Sequence, residues 1–189
     1  MSSVASTPQY PDRLLSLADW ELLPIFEHHD VELVEGVLVV TPKPTLRHQD
    51  AMGRLYASLV QLDLPGLAVI QDAEIVFPEW VTVRAPDVLI GERAAVATQP
   101  RFAAEQVRLA VEIVSPGSRT TDRVTKLHEY ARAGIGEYWI LDLEAAELAS
   151  FALDAGAGVY RATGVHTGTA RLAACGQPIT IDLNALTTI

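Results

Sequence analysis

A single cysteine, Cys175, excludes an internal disulfide, and no metal-ligand spacing surrounds it. That fits a reducing compartment. No apolar run approaches the roughly 20 residues that a bilayer-spanning helix requires. Residues 1–13 carry neither a basic flank nor an apolar stretch, so neither a membrane anchor nor a secretory signal is expected, and the expected location is cytoplasmic. Positive charge is scarce. Fourteen Lys and Arg face 24 Asp and Glu, leaving a net charge of −10, which excludes a protein that coats nucleic acid through a broad basic face. No phosphate-binding glycine loop, nucleophile elbow or zinc pattern occurs. Lysine is the rarest charged residue: Lys43 and Lys126 stand beside twelve arginines.

Hydrophobic residues make up 49% of the 189 positions and charged residues 20%, the balance of a globular chain long enough to bury a sizeable core. Residues 1–13 read as a loosely held or disordered N-terminus and 14–189 as one domain. Apolar spacing predicts helices over 14–26, 46–63 and 120–133. A hairpin is expected around Glu35-Gly36, and short strands over 68–71, 74–77, 81–84 and 87–90. The stretch 91–106, polar and alanine-rich, reads as an irregular connection with a helical turn. Strand 108–114, helix 120–133 and strand 137–142 form a β-α-β unit, which implies a parallel pair. Beyond Glu147, short strands and turns suggest an antiparallel extension.

Two carboxylates dominate this pattern. Asp87 opens the run Val88-Leu89-Ile90 directly after Pro86. Glu112 lies inside Leu109-Ala110-Val111-Glu112-Ile113-Val114. A carboxylate between aliphatic neighbours is costly to bury without a partner. Strand alternation puts Glu112 on one face with Ala110 and Val114. If Asp87 lies level with it on a neighbouring strand, the pair can share one cation, and oxygen-only ligands suit magnesium or manganese. On the following helix Val124, Leu127 and Ala131 read as the core stripe, with Arg119, Arg123, Lys126 and Tyr130 beside it. Lysine is a compact charge on a flexible stem with a tunable pKa, so it can orient or deprotonate a metal-bound water better than arginine can. The segment 119–132 carries four positive charges against two negative, so the most basic helix lies beside the candidate site.

Plainer readings exist for each residue. A strand glutamate can pair with an arginine at a sheet end, an aspartate after proline can start a strand, and a helix lysine is most often solvated. His48, near a helix start, reads as a cap or surface residue more readily than a catalyst. Glu32 in the first hairpin is either a third carboxylate or an edge charge. Glu27-His28-His29-Asp30 reads as a solvated loop, and Trp20, Trp80 and Trp139 as packing residues.

Pro86-Asp87, Val111-Glu112-Ile113-Val114-Ser115-Pro116-Gly117-Ser118, Lys126-Leu127-His128-Glu129-Tyr130 and the block from Gly134 to Asp142 together resemble the Uma-two family of putative restriction endonucleases, in the PD-(D/E)XK nuclease superfamily. Glu32-Leu33-Val34-Glu35-Gly36 and Pro44-Thr45-Leu46-Arg47-His48-Gln49 extend the likeness over most of the chain. The resemblance implies an α/β (α+β) restriction-endonuclease-like domain: a mixed central sheet flanked by helices, with an antiparallel β extension at the C-terminus. It implies that Asp87 and Glu112 bind Mg2+ or Mn2+. The superfamily's lysine two residues after the glutamate is replaced here by Val114, and Lys126 on the next helix stands in for it. The expected activity is hydrolysis of DNA phosphodiester bonds. Arg119 or Arg123 would meet backbone phosphates, with Glu32, His48 and Tyr130 peripheral. A homodimer would supply two sites for two strands. The alternatives are an inactive nuclease-fold interaction module and a hydrolase of small phosphate esters.

Overall fold

The computed structural model describes residues 12–24, 29–115 and 120–187. Most of the expected N-terminal tail, together with Phe26, Glu27, His28, Ser118 and Arg119, lies outside the described residues. The first helix is far shorter than its apolar spacing suggests. It spans five residues, α1 (Leu17–Glu21): Ser16 caps its start, its hydroxyl accepting the Asp19 N–H while the Asp19 carboxylate accepts that of Ser16, and it ends ahead of Pro24. Leu14 and Leu22, inside the range expected to be helical, lie outside α1 and are exposed.

Strands β1 (His29–Val34) and β2 (Val37–Pro42) form the expected hairpin. Glu35 and Gly36 turn it with φ of 50° and 80°, as a two-residue turn matched to strand twist requires. A Cβ on Gly36 would stand 2.8 Å from the Leu15 carbonyl oxygen, so glycine is needed for space as well. His29 and Asp30 are therefore strand residues, not part of a loop, and Asp30 pairs with Lys43. Helix α2 (Leu46–Leu59), capped by Thr45, buries His48, Ala51, Leu55 and Leu59, whereas Val60 emerges to solvent.

Strands β3 (Leu67–Gln71), β4 (Ile75–Phe77), β5 (Thr82–Arg84) and β6 (Val88–Glu92) follow. The stretch expected to be irregular contains α3 (Arg93–Thr98), the two-residue β7 (Phe102–Ala103) and a 3-10 turn. Strand β8 (Val107–Val114) leads, through a π-helical turn at Thr121–Lys126 and α4 (Leu127–Arg132), to β9 (Glu137–Asp142). The C-terminal part holds β10 (Glu147–Asp154), β11 (Val159–Thr167), β12 (Thr169–Ala174), β13 (Gln177–Asp182) and a short α5 (Leu183–Thr187). Its first two strands run to eight and nine residues, longer than expected.

The central six-stranded sheet has the order β11-β10-β9-β8-β6-β3, and its parallel pair is β8–β9, as the β-α-β reading requires. A second sheet runs β2-β1-β5-β4-β7, and β12 pairs with β13. Alternation along β8 feeds two cores. Leu109, Val111 and Ile113 pack with Leu55 and Leu59 of α2 and Ile179 and Ile181 of β13. Ala110 and Val114 join Tyr130 of α4, Tyr138 and Phe77 on the other face. Each fully buried aliphatic side chain contributes about 1.5–3 kcal/mol. Glu112 lies on the second face, under the π-turn and α4. The architecture is a mixed α+β sheet flanked by helices with an antiparallel C-terminal part.

Candidate active site

Asp87 stands one residue before β6, at the sheet end, where Pro86 interrupts the backbone donors. Strands β6 and β8 pair with Val88 opposite Val111, so one further step sets Asp87 level with Glu112. The contact confirms the level: Asp87 Oδ2 accepts the Ile113 N–H at 2.6 Å. Its other oxygen lies 2.7 Å from His48 Nε2, which α2 brings in from beneath the sheet.

Glu112 is 4% exposed. Its Oε1 lies 2.9 Å from Lys126 Nζ and accepts the Tyr130 hydroxyl at 2.9 Å. Tyr130 is fixed by an edge-to-face contact with Tyr138, at 5.3 Å, and by Phe77. Lys126, at 7% exposure, is not a solvated helix lysine. It reaches Glu32 at 3.4 Å and Asp122 at 3.7 Å besides Glu112. The π-turn accounts for this. Its wider i→i+5 winding changes the phase of the helix and turns Asp122, Lys126 and Tyr130 inward. The expected core stripe fails at its start for the same reason: Val124 is 52% exposed.

Beside this group Arg84, 2% exposed, donates two hydrogen bonds to Glu129 and one to Glu32, each 2.8 Å. Glu32 is thus no edge charge; its carboxylate also accepts the Ala85 N–H at 3.2 Å. His48 is neither a cap nor a surface residue, since Thr45 is the cap and the imidazole is buried against Asp87. Arg123 reaches Asp142 at 3.0 Å, on the flank of the cluster. Arg84, Glu129 and Asp122 carried no signal in the sequence that separated them from other charged residues.

The charges are unevenly matched. Burial pushes the Glu112 carboxyl well above the usual carboxylate range; Lys126 opposes this, but Asp122, Asp87 and Glu32 add to it. Burial would depress the Lys126 ammonium, yet Glu112, Glu32 and Asp122 outweigh that and raise its pKa, so it stays protonated at neutral pH. Burial likewise works against a charged His48, but Asp87, with Asp72 and Asp122 further off, raises it above the ordinary value.

The family model described as "Putative restriction endonuclease", Uma2, matches residues 17–183. The chain belongs to this family. A crystal structure of a putative nuclease of DUF820 from Anabaena variabilis is similar to this Uma2 chain with a TM-score of 0.72 and 15% identity, over 92% of this chain and 98% of that one. That likeness concerns the fold. No curated protein matches the chain.

The Uma2 resemblance implies a divalent cation. Among the described residues no group of three or more His, Cys, Asp and Glu forms a ready metal cage. Two carboxylates nevertheless suit magnesium, which keeps several waters and takes few protein ligands. The excess of carboxylate around Glu112 is the matching observation: one more positive charge there would offset the like-charge repulsion that raises Glu112.

Proposed function

We propose that this Uma2 chain is a metal-dependent endonuclease that hydrolyses phosphodiester bonds of DNA. The observation that carries the reading is Asp87 level with Glu112 on adjacent strands, together with Lys126 Nζ at 2.9 Å from Glu112. Asp87 and Glu112 would hold Mg2+ or Mn2+, which when bound supplies positive charge to the phosphate in flight and acidifies a water.

The chain's own residues do the rest. Lys126, protonated, donates hydrogen bonds to the attacking water or to a phosphate oxygen. Tyr130 holds the Glu112 carboxylate in one orientation. His48 and the Ile113 N–H do the same for Asp87. Arg123, 35% exposed beside Asp142, would meet a backbone phosphate. Cleavage of both strands would take two copies of the chain.

A second reading, an inactive nuclease fold that binds a partner, draws support from the net charge of −10, because non-specific DNA affinity rests on phosphate neutralisation. A substrate panel separates the readings. Supercoiled plasmid, single-stranded DNA, RNA and a small phosphodiester are incubated with Mg2+ or Mn2+, with and without EDTA. Metal-dependent nicking of plasmid, lost in Lys126→Met, is expected. No cleavage of any nucleic acid, or equal rates in wild type and Lys126→Met, would overturn the reading. Turnover of the small ester alone would reassign the substrate.

A further inference from the structure

We infer that Arg84 is a positioning residue for Lys126, acting through Glu32 and Glu129; the inference deepens the nuclease reading and rests on it. Arg84 ends β5, three residues before Asp87, so it belongs to the segment that delivers one carboxylate of the site. Its Nε and Nη2 grip both oxygens of Glu129, and its Nη1 takes Glu32 Oε2. This planar fork fixes two carboxylates in relation to each other in a way that a lysine could not.

Each grip has a consequence for the site. Glu32 Oε2 is occupied by Arg84, which leaves Oε1 turned to the Ala85 N–H and to Lys126. Glu129 lies three residues after Lys126 and one before Tyr130, so holding both its oxygens holds the helix that presents those two side chains to Glu112. A lysine stem has four rotatable carbons. Three carboxylates from three elements confine this one: Glu112 of β8, Glu32 of β1 and Asp122 of the π-turn. Arg84 fixes the Glu32 arm directly and the helix through Glu129. Without it the ammonium keeps its charge but loses its place. Placement is what an orienting group needs, since an error of about 1 Å can cost about 100-fold in rate.

The rarity of lysine makes a direct test possible. With Lys43 and Lys126 the only lysines, 15N-lysine labelling gives two ammonium groups. The exposed Lys43 exchanges with water, and Lys43→Arg completes the assignment. The wild type is expected to show one slowly exchanging cross-peak, from Lys126. Arg84→Met/Glu129→Gln removes both sides of the bidentate pair, which avoids stranding Glu129, while Glu32 keeps Lys126 and the Ala85 N–H. It is expected to melt near the wild-type temperature and to lose the cross-peak, with kcat falling about 10- to 100-fold at unchanged KM. Glu129→Gln alone breaks the bidentate grip, leaves Arg84 paired with Glu32 and adds no lysine signal; expected to behave alike, it serves if the double variant does not fold.

An intact cross-peak and an unchanged kcat in a folded variant would overturn the inference, as would a wild type with no slowly exchanging ammonium. Failure of the wild type to cut any nucleic acid would instead overturn the nuclease reading, and the cross-peak would still decide the role of Arg84.

Discussion

Replacing Lys126 with methionine removes the ammonium 2.9 Å from Glu112 while keeping most of the side-chain volume. Glu112 is then left 4% exposed, with Tyr130 as its donor and with Asp87, Glu32 and Asp122 near enough to repel its charge. Removing one partner of a buried pair costs about 3–5 kcal/mol when the other stays charged, a large part of the stability of a typical domain. The cost depends on pH with a definite sign. Without Lys126 the folded-state pKa of Glu112 stands still further above its unfolded value. Its contribution is therefore fully present below the unfolded carboxylate range and is lost as pH rises through the folded pKa. Urea denaturation at pH 5 and pH 8 should show the deficit of Lys126→Met growing with pH. Lys126→Met/Glu112→Gln should recover most of it, since no charge is then stranded. If Mg2+ takes over the role of countercharge it should stabilise the single variant more than the wild type at equal concentration, the variant gaining about 2.7 kcal/mol in total at 100 times its own Kd. A deficit below about 1 kcal/mol, the same at both pH values, would refute the description of Glu112 and Lys126 as a mutually dependent buried pair.

Three further outcomes are expected. His48→Gln should lower the melting temperature most at pH 6 and least at pH 9, because a raised His48 pKa confers stability below the ordinary histidine value that fades as pH climbs through the folded one; an offset independent of pH would contradict this. Mg2+ binding should release protons and tighten as pH rises, because Glu112 must ionise to act as a ligand; calorimetry in two buffers of different ionisation enthalpy counts those protons, and a count of zero would contradict the raised Glu112 pKa. Gly91→Ala would put a Cβ 2.6 Å from Phe102 Cε1, which is buried, so a loss of about 1–3 kcal/mol by overpacking should appear in denaturant titration.

The strand layout was legible because its signals are local. The Glu35-Gly36 turn and the apolar runs around Asp87 and Glu112 each declare themselves within ten or so residues, the β8–α4–β9 crossover follows from three consecutive local patterns, and the level pairing of Asp87 with Glu112 follows once β6 and β8 are neighbours. What failed depended on distant contacts or unusual winding. Apolar spacing over 14–26 suggests a longer helix, but the Ser16–Asp19 capping box starts it at Leu17, and it ends at Glu21, ahead of Pro24. Val124 has the spacing of a core residue, but the π-turn rotates Asp122 and Lys126 inward in its stead. Arg84 is one of twelve arginines, and only the meeting of β1, β5 and α4 shows that it is the buried one among the described residues. His48 gave the same difficulty, since the sequence separates it from Asp87 by 39 residues.

Mn2+ titration of the wild type against Asp87→Asn/Glu112→Gln, alone and with a non-cleavable DNA duplex present, tests the central claim most directly. The account predicts a saturable wild-type site, tightened by the duplex and abolished in the double variant while its melting curve stays cooperative. Equal binding by both proteins, or no binding by the wild type even with the duplex, would contradict the assignment of Asp87 and Glu112 as the metal-holding pair.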